Sequence, residues 1–145
     1  MAKQLFDKQE KQMIVDAVKS AELNTSGEIR VHIENKCKYD VLDRATDVFK
    51  TLEMHKTEQR NGVLFYLAIE DKQFAILGDV GINQKVPEGF WEQIKDEMLV
   101  DFKAGNFTKG LSDGIHKAGE QLKQFFPYQS DDVNELSDDI SFEDN

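Results

Sequence analysis

The sequence is short of sulfur, proline and positive charge. One cysteine, Cys37, in 145 residues leaves nothing to build a disulfide framework, a four-cysteine zinc site or a CxxC redox pair. Only two prolines, Pro87 and Pro127, interrupt the chain. No apolar run approaches the ~20 residues of a membrane span, so the chain is expected not to be membrane-embedded itself. The first residues, Met1-Ala2-Lys3-Gln4-Leu5-Phe6-Asp7, lack the apolar stretch of a secretory signal, which makes a cytoplasmic location the expectation. With 18 basic residues against 28 acidic ones the net charge is −10. A general nucleic-acid partner wants a basic face and is not expected here.

The acidity is concentrated at one end. Residues 131–145 hold Asp131, Asp132, Glu135, Asp138, Asp139, Glu143 and Asp144 with no Lys or Arg, so −7 of the −10 lies there and the body is left near −3. The spacing predicts a body over residues 1–127, closed by Phe125-Phe126-Pro127, and an acidic tail over 128–145. Two readings of the tail stay open. Composition favours a solvated segment, while Val133, Leu136, Ile140 and Phe142 are spaced to dock on a groove.

Within the body, Asp7 and Glu10 form a capping-box pattern ahead of Met13, Ile14, Ala17, Val18 and Ala21, one face of a helix. Glu28 to Glu34 alternates, with Ile29, Val31 and Ile33 on one face and His32 on the other, polar one. A second helix is expected over about 40–54. Val63 to Ile69 is apolar on both faces and reads as a central strand, and Phe74 to Leu77 as its hairpin return. Gly78-Asp79-Val80-Gly81 reads as a loop. A third helix is expected to start at Pro87 and a last one near Thr108. The order αβαββαα, with the first two strands parallel, gives a three-layer α/β sandwich around a small mixed sheet.

Several chemistries lack their residues. There is no GxGxxG or GxxxxGK[ST], so no nucleotide or organic cofactor is expected. Cys37 and Arg44 are one residue too far apart for a cysteine-phosphatase loop, and the three histidines, His32, His55 and His116, are not spaced as joint metal ligands. The topology itself gathers three glycine-containing loops at one sheet edge: residues 24–28, 57–62 and 78–81. Asp79, Glu28 and the Asn61 carbonyl there are the oxygen donors a hard cation such as calcium or magnesium takes. Arg60 suits a phosphate or carboxylate, and Asp113 is added as a further carboxylate near the start of the last helix. Ordinary turn chemistry accounts for the same residues, since Gly and Asn permit positive φ and Asp caps turns. The opposite edge, with Glu34, Asn35, Glu70 and Asp71, ranks second.

The loop motifs resemble a known family. Thr25-Ser26-Gly27-Glu28-Ile29-Arg30-Val31, Arg60-Asn61-Gly62-Val63-Leu64, Gly78-Asp79-Val80-Gly81-Ile82 and Phe102-Lys103-Ala104-Gly105-Asn106-Phe107, followed by Gly110-Leu111, are similar to the TPM domain, the domain of thylakoid-lumen acid-phosphatase-like proteins and many bacterial relatives. The resemblance covers residues 8–127 or so and implies a mixed sheet between helices. It also implies a site at the edge of Asn61-Gly62 and Gly78-Asp79, calcium in an acidic groove with low phosphatase activity in plant members, and partnership with LemA-like membrane proteins or a second TPM protein in bacterial ones. Two functions follow as expectations: a divalent-cation-binding protein-interaction module, or a low-activity metal-assisted phosphatase.

Overall fold

The computed structural model describes residues 7–23, 25–127 and 138–143. Helix α1 (Lys8–Glu22) is capped by Asp7, whose side chain accepts the Glu10 amide while Glu10 reaches back to the Asp7 amide. This is the reciprocal box the sequence predicts. Strand β1 (Glu28–Glu34) follows, then α2 (Val41–Thr51), capped by Asp40 on the amides of Leu42 and Asp43. The expected end of α2 becomes a separate 3-10 turn, Met54–Lys56, because Glu53 takes a left-handed conformation (φ 58°) that no α-helix continues through.

Strands β2 (Gly62–Ala68) and β3 (Gln73–Gly78) form the hairpin, and Asp79 caps a four-residue helix α3 (Val80–Asn83) where a loop was expected. Helix α4 (Phe90–Lys103) begins three residues later than Pro87, since Gly89 at φ 79° breaks the turn that Pro87 opens. Helix α5 (Phe107–Phe125) completes the helices.

The sheet has one strand more than the sequence pattern gave reason to expect. Its order is β3-β2-β1-β4, with β4 (Ser141–Glu143) parallel to β1 in the register His32↔Ser141, Ile33↔Phe142 and Glu34↔Glu143. Residues 138–143 of the acidic segment thus dock; Val133 and Leu136 lie outside the described residues. β1 and β2 are parallel and β2–β3 antiparallel, as expected.

Both sheet faces are covered. Ile29, Val31, Ile33, Val63, Phe65 and Leu67 pack on α1, α4 and α5, and Ile140 and Phe142 lie at the margin of this core. Leu64, Tyr66, Ala68 and Ala75 pack on Ala45, Val48 and Phe49 of α2 and on Met54. This is the three-layer sandwich. Among the described residues, no helix is long and apolar enough to cross a membrane.

Candidate functional site

The loop ahead of β2 is threaded between the start of β1 and the end of β3. The Glu28 amide donates to the Asn61 carbonyl (3.4 Å), the Asp79 amide to the Gly62 carbonyl (2.9 Å) and the Gly81 amide to the Arg60 carbonyl (2.8 Å). These bonds bring Glu28, Arg60, Asn61 and Asp79 to one edge, from three separated segments. Arg60 makes the turn in the left-handed region, at φ 53°.

Arg60 and Asp79 face each other. Nε donates to Asp79 Oδ2 at 2.7 Å and a terminal guanidinium nitrogen to Oδ1 at 2.9 Å, and Oδ1 also accepts the Val80 amide at 2.7 Å. The carboxylate is buried while the guanidinium side chain is 47% exposed. The Asp79 partnership raises the Arg60 pKa further. Asn61 is 1% exposed, its amide donates to Thr57 Oγ1, and its side-chain Oδ1 and Nδ2 have no hydrogen-bond partner among the described residues. Buried polar groups are nearly always satisfied, and an exception points to water or an ion. Glu28 is buried beside them.

Asp113 does not join this edge. It accepts from Lys109 Nζ at 2.9 Å on the exposed side of α5. The α5 residue that reaches the start of β1 is Leu122, whose carbonyl accepts from Thr25 Oγ1. Nine residues of helix, about 13 Å of rise, separate the two. Among the described residues no group of three or more His, Cys, Asp or Glu is arranged to hold a metal ion.

A second polar cluster lies on the α2 face of β1, which alternation alone marks as the polar side. It is buried. Glu34, with no exposed surface, accepts from Arg44 through Nε (2.9 Å) and a terminal nitrogen (2.7 Å), from the Tyr66 hydroxyl, and from His32 Nε2 at 3.0 Å. Burial opposes the charge of Glu34, but the bonds from Arg44, Tyr66 and His32 outweigh it and hold the carboxyl down to about 2. Burial lowers His32 against the pull of Glu34. The neutral ring then donates from Nε2, leaving Nδ1 to accept from Ser141 Oγ at 2.9 Å. Arg44 reaches on to Glu143 at 2.8 Å. The one signal in the sequence was His32 and Glu34 on the same side of a strand; Arg44 and Tyr66, the partners of Glu34, and Ser141, the partner of His32, are set only by the fold.

The same segment makes a carboxyl pair. Glu22 Oε2 accepts the Ile29 amide at 2.8 Å. Burial first, and then a hydrogen bond with Asp138, push Glu22 up to about 10. A carboxyl whose folded pKa is raised stabilises fully below its unfolded value, near 4.5, and loses that contribution as pH climbs toward the folded value. Replacement Glu22→Gln is therefore expected to raise stability at pH 8 by on the order of 2 kcal/mol, with no gain near pH 4, read from urea unfolding at both values.

Residues 2–121 match the TPM domain family. The chain belongs to the TPM domain family. Its structure is similar to the NMR structure of the BA42 protein from the psychrophilic bacterium Bizionia argentinensis, with 49% sequence identity, 97% of each chain covered and a TM-score of 0.90. The N-terminal domain of a protein from P. gingivalis shares the fold at 17% identity, with 87% of this chain and 83% of that one covered and a TM-score of 0.69. So does the N-terminal domain of the cg2496 protein from Corynebacterium glutamicum, at 11% identity, 89% and 80% coverage and a TM-score of 0.66. No curated protein matches the chain. In this TPM domain the Asn61-Gly62 and Gly78-Asp79 motifs are the two sides of the loop edge, and Thr25 of the first motif ties it to the end of α5.

Proposed function

We propose that this TPM domain is a protein-interaction module whose loop edge takes a divalent cation, calcium or magnesium. The observation that carries the reading is the Asn61 side chain, buried at that edge with neither polar atom hydrogen-bonded among the described residues. Its Oδ1 and the carboxylates of Glu28 and Asp79 are hard oxygen donors, the kind both ions select. Arg60 is the counter-charge of Asp79 without the ion, and its half-exposed side chain can swing out as the ion enters. Binding is then an exchange of one cation for another, which keeps affinity modest. The family's bacterial members make a LemA-like membrane protein or a second TPM protein the partners to try first. The phosphatase alternative assigns Arg60 to a phosphate, yet its guanidinium is directed at Asp79, and no observation favours that reading.

Amide NMR titration with calcium and then magnesium tests the cation. Shifts confined to Glu28, Arg60, Asn61, Gly62 and Asp79 that saturate by about millimolar ion are expected, and Asn61→Ala should abolish them while leaving the remaining spectrum in place. Flat spectra at these residues would remove the cation from the reading.

A further inference from the structure

At the far end of the sheet, between the β2–β3 hairpin and the junction of α4 and α5, lies a groove of about 520 Å³. Its apolar wall is Leu67, Ile69, Phe74, Leu99, Phe102 and Phe107. Lys72, at the hairpin tip, and Lys103, at the end of α4, are exposed lining residues. The chain carries 28 carboxylates against 18 basic groups, yet among the described residues no carboxylate lines this groove. Neither lysine belongs to an ion pair among the described residues. Lys95 adds a third cation, its ammonium 5.5 Å from the Phe74 ring centroid. Gln73 and Phe74, the first two residues of β3, line it, and β3 is the end strand of the sheet, which pairs only with β2 among the described residues. An edge strand offers its outer N–H and C=O groups to an added strand.

An apolar cavity, two lysines without an ion pair among the described residues and the end strand of the sheet lie together, and each asks for something different of one ligand. We infer that this groove docks an extended acidic segment of a partner protein, which pairs with the outer edge of β3, places a bulky apolar side chain against Phe74, Phe102 and Phe107, and sets carboxylates on Lys72 and Lys103. A small apolar acid would use the cavity and the lysines but leave the strand edge unused. The inference deepens the interaction-module reading by naming the partner's chemistry, and it requires nothing of the cation edge.

The test uses the whole chain in EDTA, so that a failed cation site does not bear on it. The probe is a fluorescein-labelled peptide, Asp-Phe-Glu-Leu-Asp-Phe-Glu, followed by anisotropy and by amide NMR. Saturable binding is expected, with shifts along β3 and at Ile69, Phe102, Lys103 and Phe107. The double variant Lys72→Glu/Lys103→Glu should weaken it at least tenfold, as should exchanging the peptide's acids for lysine. N-methylation of alternate peptide amides should weaken it comparably. Equal binding of the lysine peptide, or shifts away from β3 and the groove, would overturn the inference. So would decanoate shifting the groove residues where the acidic peptide does not, which would make the cavity a small-molecule pocket. Indifference to N-methylation would overturn the strand pairing.

Discussion

Replacing Glu34 with alanine is expected to cost about 3–5 kcal/mol in urea unfolding at pH 7. The loss comes less from the bonds removed than from what they leave behind. Arg44, with a side chain only 15% exposed, loses its bidentate partner, and the Tyr66 hydroxyl and His32 Nε2 lose their acceptor. A buried charge stripped of its partner is the costly case, whereas the intact pair adds little over an apolar isostere. Glu34→Gln keeps the shape and one acceptor, and is expected to cost less. The pH profile gives a second readout. Because the folded carboxyl sits at about 2 and its ordinary value is near 4.5, its contribution is complete above that ordinary value and disappears as pH falls toward 2. The alanine variant therefore has less to lose on acidification than the parent. Amide exchange at Ser141 and Glu143 should also quicken, since His32 and Arg44 hold them to the sheet.

The second large effect is expected at Gly81, where a methyl group has no room. A Cβ there would lie 2.2 Å from the Gln59 carbonyl oxygen and 2.6 Å from that of Arg60. These are backbone atoms, so relief requires moving the whole loop. Gly81→Ala is expected to cost about 3 kcal/mol, at the upper end of ordinary overpacking, and to shift the amides of Arg60, Asn61 and Asp79. The Gly81–Arg60 bond of 2.8 Å is the strut that sets the spacing of this edge. Gly105→Ala is the control. It has φ +83° with open space around the site, so it carries only the left-handed penalty of about 1 kcal/mol and should leave the loop spectrum unchanged.

How much of this was legible depended on whether the information was local. Asp7 and Glu10 announce the start of α1 within four residues, and the doubly apolar run from Val63 announces a strand covered on both faces. The loop edge was also readable, because two parallel strands and a hairpin leave few arrangements of their ends. What was not readable is pairing across the fold. Arg60 and Asp79 looked like two open functional groups, and only the structure turns them toward each other. His32 was read only as lying on the polar face of its strand; it and Glu34 are buried because Arg44 and Tyr66 satisfy Glu34 while Glu34 and Ser141 satisfy His32. β4 was hidden by composition. Seven carboxylates favoured a solvated tail over the docked one that Val133, Leu136, Ile140 and Phe142 left open, and the useful signal was Ile140 and Phe142, two apart as on one face of a strand. Asp113 was placed by its proximity to a helix start, and the direction of α5 puts that start at the wrong end of the sheet.

The position of β4 has a consequence for how the chain acquires its fold. His32 and Ser141, whose side chains touch, are 109 residues apart in sequence, and Arg44 and Glu143 are 99 apart. Glu34 meets Tyr66 across 32 residues. Closing the longer loops costs more chain entropy and slows the contacts that depend on them. During synthesis, β1, β2 and β3 can pair while β4 has yet to be made. A nascent chain therefore passes through a stage in which Arg44 already holds Glu34 but the flank of β1 stands bare, and it is then that a neighbouring chain's strand would meet an unprotected edge.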